Sequence, residues 1–294
     1  MLNLRMEGHD GYIHKIVNMD SKLFSGKVYV VTGGGGGIGF GIVRQLEGYG
    51  AHVFALDLRK ENPATFDKLD KDRTTFIEVD VSDREACSNA VDQVLSKHGR
   101  IDGLVNNAGV CPSEGELPDP KLFRSVIDVN LGGAFNMGSL VLPKMKEQKS
   151  GVIVNVGSTS CLSGKNRLPL YASSKHALLG LTRSWALDFA KYGVRVNCVG
   201  PGKRTSAASL HIIQTDTFTG ATDTAMARAP LQTVMGPRFG PGKTDDELLE
   251  CVAASIPLGR IGTVDDVAHS VNFLLSDLSS FITGQIIVVS GGSS

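Results

Sequence analysis

Apolar residues along this chain fall into short runs, several rich in valine and isoleucine, separated by longer stretches in which apolar and polar positions repeat with helical spacing. Continuous apolar runs bounded by glycine or polar residues mark strands buried on both faces, as in parallel sheets. Strands are predicted over 27–32, 51–57, 74–80, 101–106, 151–156, 194–199 and 285–289. Helices are predicted over 38–48, after Ser82, over 120–147, and from the segment around Tyr171 to Tyr192, where Gly193 is the residue type that ends helices. Ser82 and Glu85 have capping-box spacing, and so do Thr244 and Glu247, the latter for a helix reaching Ala254. Strand and helix in alternation predict an α/β fold: a doubly wound, seven-stranded parallel sheet with helices on both faces. A single domain over 26–294 follows an N-terminal extension of residues 1–25.

Such a sheet gathers the carboxyl ends of its strands on one edge, where ligands bind. Gly33, Asp57, Asp80, Asn106, Ser158 and Pro201 fall at or just past predicted strand ends. The first opens Gly33-Gly-Gly-Gly-Gly37-Ile38-Gly39, a turn whose glycines permit positive φ and let a diphosphate approach the backbone at a helix start. Five consecutive glycines satisfy three spacings at once: 34/36/39, 33/36/39 and 33/37/39. Asp57, closing the next strand, stands where a carboxylate grips an adenosine ribose. Tyr171 and Lys175, four apart, stack on one helix face. A cation near a phenol favours the phenolate, so the lysine is expected to lower the tyrosine pKa from its usual ~10 towards neutrality. That would make a usable general acid or base. The same pair also arises in ordinary amphipathic helices.

Thr32-Gly33-x-x-x-Gly37-Ile38-Gly39, Asn106-Asn107-Ala108-Gly109, Asn130, Ser158, Tyr171-x-x-x-Lys175 and Pro201-Gly202 occur in the order and spacing of the short-chain dehydrogenase/reductase family. The chain resembles that family's compact branch from Gly26 to Gly292. The resemblance implies a Rossmann-like fold and an NAD(P)-dependent oxidoreductase that interconverts a secondary alcohol and a ketone by hydride transfer. It implies that Tyr171 exchanges a proton with the substrate oxygen, that Lys175 holds the nicotinamide ribose, and that Ser158 hydrogen-bonds the substrate oxygen. Asn130 would anchor a water relay to Lys175, or else bond back to backbone. Cofactor contacts fall by resemblance to Gly33, Gly37, Ile38, Gly39, Asp57, Leu58, Asp80, Val81, Asn107, Ala108, Gly109, Pro201 and Gly202, besides Tyr171 and Lys175, with Asn106 lining the cleft. Other outcomes on this scaffold are a lyase or epimerase, and a dinucleotide-sensing protein without catalysis.

NAD is favoured over NADP. Asp57 would bond the ribose hydroxyls and repel a 2′-phosphate, and Gly36 stands where a basic residue often accompanies NADP in the family; Arg59 and Lys60 lie close enough to meet a phosphate. Residues 203–256 read as an enlarged substrate lid, with Phe218, Met226, Met235 and Phe239 interspersed. Within it, Lys203 and Arg204 replace the apolar residue and threonine usual in the family, and would reach the cofactor diphosphate or an anionic substrate group, or remain solvated. Gly240 to Thr244 echoes a phosphate-loop ending, but Pro237 occupies the first glycine position and no strand precedes it. Val110, Cys111, Pro112, Ser160, Cys161, Arg167 and Leu168 are expected to edge the substrate pocket. Ser290, before Gly291 and Gly292, replaces a usual aspartate.

Composition narrows the partners. With 41% apolar and 20% charged residues the 294-residue chain can bury a full core, and its 30 basic and 30 acidic side chains cancel without a basic stripe for nucleic acid or anionic membrane. Five scattered cysteines without a Cys-x-x-Cys pair suit free thiols in a reducing compartment, and no metal-ligand spacing appears. No apolar run approaches the ~20 residues of a membrane helix. A cytoplasmic enzyme acting on a small alcohol or ketone is expected, assembled by family analogy as a homotetramer or homodimer.

Overall fold

A computed structural model of the protein describes residues 22–58, 64–202, 240 and 242–293. Arg59, Lys60, Lys203, Arg204, Phe218, Met226, Met235 and Phe239 lie outside the described residues, as does nearly all of the N-terminal extension. Strands β1 (Val28–Thr32), β2 (His52–Asp57), β3 (Thr74–Glu78), β4 (Gly103–Asn106), β5 (Gly151–Val156), β6 (Val194–Pro201) and β7 (Ile286–Val289) form one sheet in the order β3-β2-β1-β4-β5-β6-β7. Every pairing is parallel. The order reverses between β1 and β4, which opens a crevice at the carboxyl edge.

Alternate residues of β1 enter different cores, as the two-residue strand period requires. Val28 and Val30 pack with α2 (Arg84–His98), α4 (Ala134–Gln148) and α5 (Pro169–Phe189) through Val91, Met137, Val141 and Trp185. Tyr29 and Val31 pack with α1 (Gly37–Gly48) and α7 (Val264–Leu275) through Ile42, Leu46, Val267 and Val271. Phe24 joins the second core, edge-on to Tyr29 with ring centroids 5.2 Å apart.

Local chemistry explains most element ends and corrects two expectations. The cap of α2 is Asp83, whose side chain accepts from the Glu85 and Ala86 amides. Ser82 does not serve, because the Glu85 amide it would accept is taken by Asp83 Oδ1 at 2.9 Å, while its own N–H and hydroxyl donate to Asp80 Oδ1 at 2.9 and 2.7 Å. Thr244 does form the capping box with Glu247 that starts α6 (Asp245–Ala254). Helix α7, absent from the sequence prediction, begins with a second box in which Asp266 replaces the usual glutamate, and Arg260 clamps the Asp266 carboxylate at 2.7 and 2.8 Å.

The predicted 120–147 helix is α3 (Pro120–Ile127), a π-helical stretch Asp128–Gly133 and α4 in continuity, capped at its start by Asp119. It contains a window of mean hydropathy 1.2, the one helix among the described residues that matches a membrane span by length and composition, though it is no continuous apolar run. Its apolar face is used inside the protein, where Met137, Val141, Leu142 and Met145 are buried in the core. Helix α5 ends in a single 3-10 turn, Ala190–Tyr192, closed by Gly193 at φ 73.

Candidate active site

The glycine turn resolves its own ambiguity. Gly33 and Gly37 both adopt positive φ, 61 and 50, and α1 starts at Gly37. A Cβ built on Gly39 would collide with the Gly33 carbonyl oxygen and the Asn107 side chain. The turn therefore uses the 33/37/39 spacing. Asn107 braces it, donating from Nδ2 to the carbonyl oxygens of Thr32 and Gly33 at 3.0 and 3.1 Å. The Thr32 hydroxyl accepts from the amides of Asn107 and Ala108, both at 3.0 Å, which ties the ends of β1 and β4 together where the strand order reverses.

No side chain caps the start of α1, and its first turn holds no acid, so nothing on the helix itself opposes an anion there. Asp57 Oδ2 accepts from the Gly35 amide at 2.9 Å, which places a carboxylate against the same turn. A helix start open to a diphosphate beside an acid suited to ribose hydroxyls fits a dinucleotide. Leu58 is exposed, Val81 is buried, and the side chain of Asp80 is engaged by Ser82. Asn106 does not line the cleft as expected. It is buried in the sheet, donating from Nδ2 to Asn155 Oδ1 at 2.9 Å, and Asn155 donates in turn to Thr182.

Across the crevice, Ser158 follows β5 and accepts the Ser160 amide at 3.0 Å. Tyr171 and Lys175 rise from the first turns of α5, with Lys175 Nζ 5.7 Å from the Tyr171 ring centroid. The ammonium donates to the Val156 carbonyl at 2.9 Å, and burial pushes its pKa down. The phenol does not behave as the sequence suggested. Burial pushes its pKa up, the nearby Cys111 and Cys161 thiols add to the rise, and the Ser158 hydroxyl pulls it partly back. Lys175, whose ammonium donates to the Val156 carbonyl, is not among the causes that move it.

Asn130, in the π-helical stretch, grips another segment rather than its own helix. Its Oδ1 accepts the Val110 amide at 2.7 Å, and its Nδ2 donates to the Val110 carbonyl at 2.9 Å and to Ser174 Oγ at 3.0 Å. Gly109 leaves room beside it: a Cβ there would lie 3.2 Å from Asn130 Oδ1 and 3.5 Å from Lys175 Nζ. Glu114, which the sequence did not single out, is buried and accepts the Leu170 and Tyr171 amides at the start of α5, at 2.6 and 2.7 Å. An acid in a glycine- and proline-bearing loop carries no local signal of such a role.

Three of the expected pocket residues are buried: Pro112, Ser160 and Cys161, the last packed against Leu179 and Cys198. Cys111, Arg167 and Leu168 do reach surface, and Arg167 holds a left-handed backbone at φ 57 between Ser158 and Tyr171. Next to the catalytic edge is a cavity of about 450 Å³ lined by Thr159, Lys165, Gly202, Ile256, Arg260 and Ser290. It adjoins the Tyr171 crevice rather than containing it, since neither Tyr171 nor Lys175 lines it.

Known proteins agree with this architecture. Residues 27–215 match the family described as short chain dehydrogenase, and residues 230–294 match the pattern described as enoyl-(acyl carrier protein) reductase. The chain is 34% identical over 280 residues to the 3-oxoacyl-[acyl-carrier-protein] reductase of Thermotoga maritima, covering 91% of this chain and 97% of that protein. It is 35% identical over 290 residues to xanthoxin dehydrogenase of Arabidopsis thaliana, covering 94% and 92% respectively. Among solved structures, ElxO with NADP bound superposes with a TM-score of 0.74 at 28% identity, over 91% of this chain and 98% of that one. With the switch-point turn, the hydroxyl pair and this near end-to-end similarity in hand, the chain belongs to the short-chain dehydrogenase family of nicotinamide-dinucleotide oxidoreductases.

Proposed function

We propose that the protein interconverts a secondary alcohol and a ketone, with Tyr171 as the proton donor and acceptor and NAD(H) as the favoured cofactor. The observation that carries the reading is the Tyr171 phenol, its pKa drawn on by the Ser158 hydroxyl, beside a buried ammonium and across from an uncapped helix start. When bound, the dinucleotide supplies the hydride exchanged with the substrate carbon. Tyr171 gives its proton to the substrate oxygen in reduction and takes it back in oxidation. Ser158 donates a hydrogen bond to that oxygen as charge develops on it. Lys175 holds the nicotinamide ribose, and Asn130 shapes the segment beside it.

A phenol held above its usual pKa is protonated at neutral pH, the form that reduction needs. Oxidation needs the other form. Alcohol oxidation is therefore expected to accelerate steadily as pH rises through the alkaline range, while ketone reduction stays flat. Asp57 beside the glycine turn supports NAD, since a carboxylate there repels a 2′-phosphate; ElxO, which binds NADP, represents the opposite choice on the same fold. Exposed Phe123, Phe135 and Leu187 on α3, α4 and α5 offer apolar surface for a second copy of the chain.

The test is steady-state turnover of alcohol and ketone panels with both cofactors. Tyr171→Phe is expected to lower kcat by about 10²–10⁴-fold with dinucleotide affinity retained. Retained turnover in that variant would remove Tyr171 from the chemistry, and tighter binding of NADPH than NADH would reverse the cofactor assignment.

A further inference from the structure

We propose that Glu114 is a positioning residue that fixes where the Tyr171 phenol stands, an inference that rests on the oxidoreductase reading above. Helix α5 starts in an unusual way. Its first residue is Pro169, which has no N–H, and the preceding Leu168 offers no side-chain cap. The next two amides, of Leu170 and Tyr171, are the ones a helix leaves without backbone acceptors. Both are taken by the two oxygens of one carboxylate, Glu114, reaching across from the loop after β4. The side chain is only 6% exposed, so water does not share the task.

A local serine or aspartate at the cap would have stabilised the helix equally well. What the distant carboxylate adds is a closed ring of contacts around one residue. The Tyr171 amide donates to Glu114, and the Tyr171 carbonyl accepts from Ser174 Oγ at 2.7 Å. Ser174 Oγ accepts from Asn130 Nδ2, and Asn130 holds both the amide and the carbonyl of Val110. Val110 leads back along the loop to Glu114. The backbone of the acid–base residue is thus gripped on both sides, by groups that also fix the segment following Gly109. Charge is not the means, since Glu114 raises the Cys111 thiol pKa but is not among the causes that move the phenol.

Gln at 114 keeps the length but can accept through only one atom, turning an NH2 towards the other amide. Ala removes both bonds. A misplacement well under an ångström in a reacting group is enough to be visible in rate, because a shift of 1 Å costs on the order of 10²-fold.

The experiment compares wild type with Glu114→Gln and Glu114→Ala in the full-length protein. Turnover is measured per dinucleotide-binding site, together with the dinucleotide Kd and the pH profile. A 3-fluorotyrosine at position 171, observed by fluorine NMR, reports on the ring directly. The expected result is a fall in kcat of about tenfold in Glu114→Gln and more in Glu114→Ala, with Kd and the pH profile unmoved and a broadened or split fluorine line. Unchanged kcat per binding site in Glu114→Ala overturns the proposal, as does a Kd that weakens in step with kcat. A wild type that binds dinucleotide but turns over no alcohol or ketone defeats the oxidoreductase reading instead. In that event the fluorine line decides on Glu114 alone: a sharp, unshifted signal in Glu114→Ala refutes the positioning role.

Discussion

The two walls of the crevice are made of different material. The wall formed by β1, the glycine turn and the start of α1 is mostly backbone: two positive-φ glycines, a third with no room for a Cβ, and uncapped amides. The wall formed by β5, α5, the π-helical stretch and the loop after β4 is mostly side chain: Ser158, Tyr171, Lys175, Asn130 and Glu114. A backbone site tolerates no added atoms, because its shape is the absence of side chains. A side-chain site tolerates little subtraction, because each group is held by another.

Adding a methyl group to the first wall is expected to have the largest effect on the fold. Gly39→Ala places a Cβ against the backbone carbonyl of Gly33 and against the Asn107 side chain that braces it. A loss of about 2–3 kcal/mol in denaturant unfolding and of measurable dinucleotide binding is expected. Retained NADH affinity would show that the turn can open, and the contrast between the walls would weaken.

Removing atoms from the same wall should do less. Asn107→Ala deletes the brace on the Thr32 and Gly33 carbonyls but leaves the glycine geometry intact. The expected cost is about 1–2 kcal/mol in thermal or chemical unfolding, with weaker dinucleotide binding and kcat little changed. A fall in kcat at saturating dinucleotide would mean that the walls communicate through Thr32.

The smallest effect lies away from both, at Asp266. Its carboxyl is held well below the usual range by Arg260 and by the Thr263 amide and hydroxyl. A depressed folded-state pKa contributes stability that is present above the unfolded value of about 3.9 and is lost as pH falls through the folded one. Unfolding free energy should therefore decline on acidification below that value, and Asp266→Asn should flatten the decline. An unaltered acid slope in the variant would assign it to other carboxylates.

How far the sequence could be read follows the same division. All seven strands and the helices over 38–48 and 120–147 were legible, because apolar period and length are local properties. Helix α7 was missed although Thr263 and Asp266 form a capping box, since an aspartate in place of glutamate weakens that signal. At the start of α2, Ser82 looked like the cap, but the hold of Asp83 on the Glu85 amide became visible only in three dimensions. Asn106 and Asn107 are neighbours in one motif, and only the strand register shows that the first faces Asn155 inside the sheet while the second braces the turn.

By itself the sequence determined the order of the seven strands, and it marked the carboxyl edge, the glycine turn and the Tyr171–Lys175 pair as the candidate site. These follow from spacing between near neighbours, which the chain carries without folding. Only the tertiary structure decided which glycines of five form the turn, that burial keeps the Tyr171 proton in place against the pull expected of Lys175, and that Glu114 grips the start of α5. Each of those depends on desolvation or on contact between residues far apart in the chain, and neither exists until the sheet has brought its strand ends together.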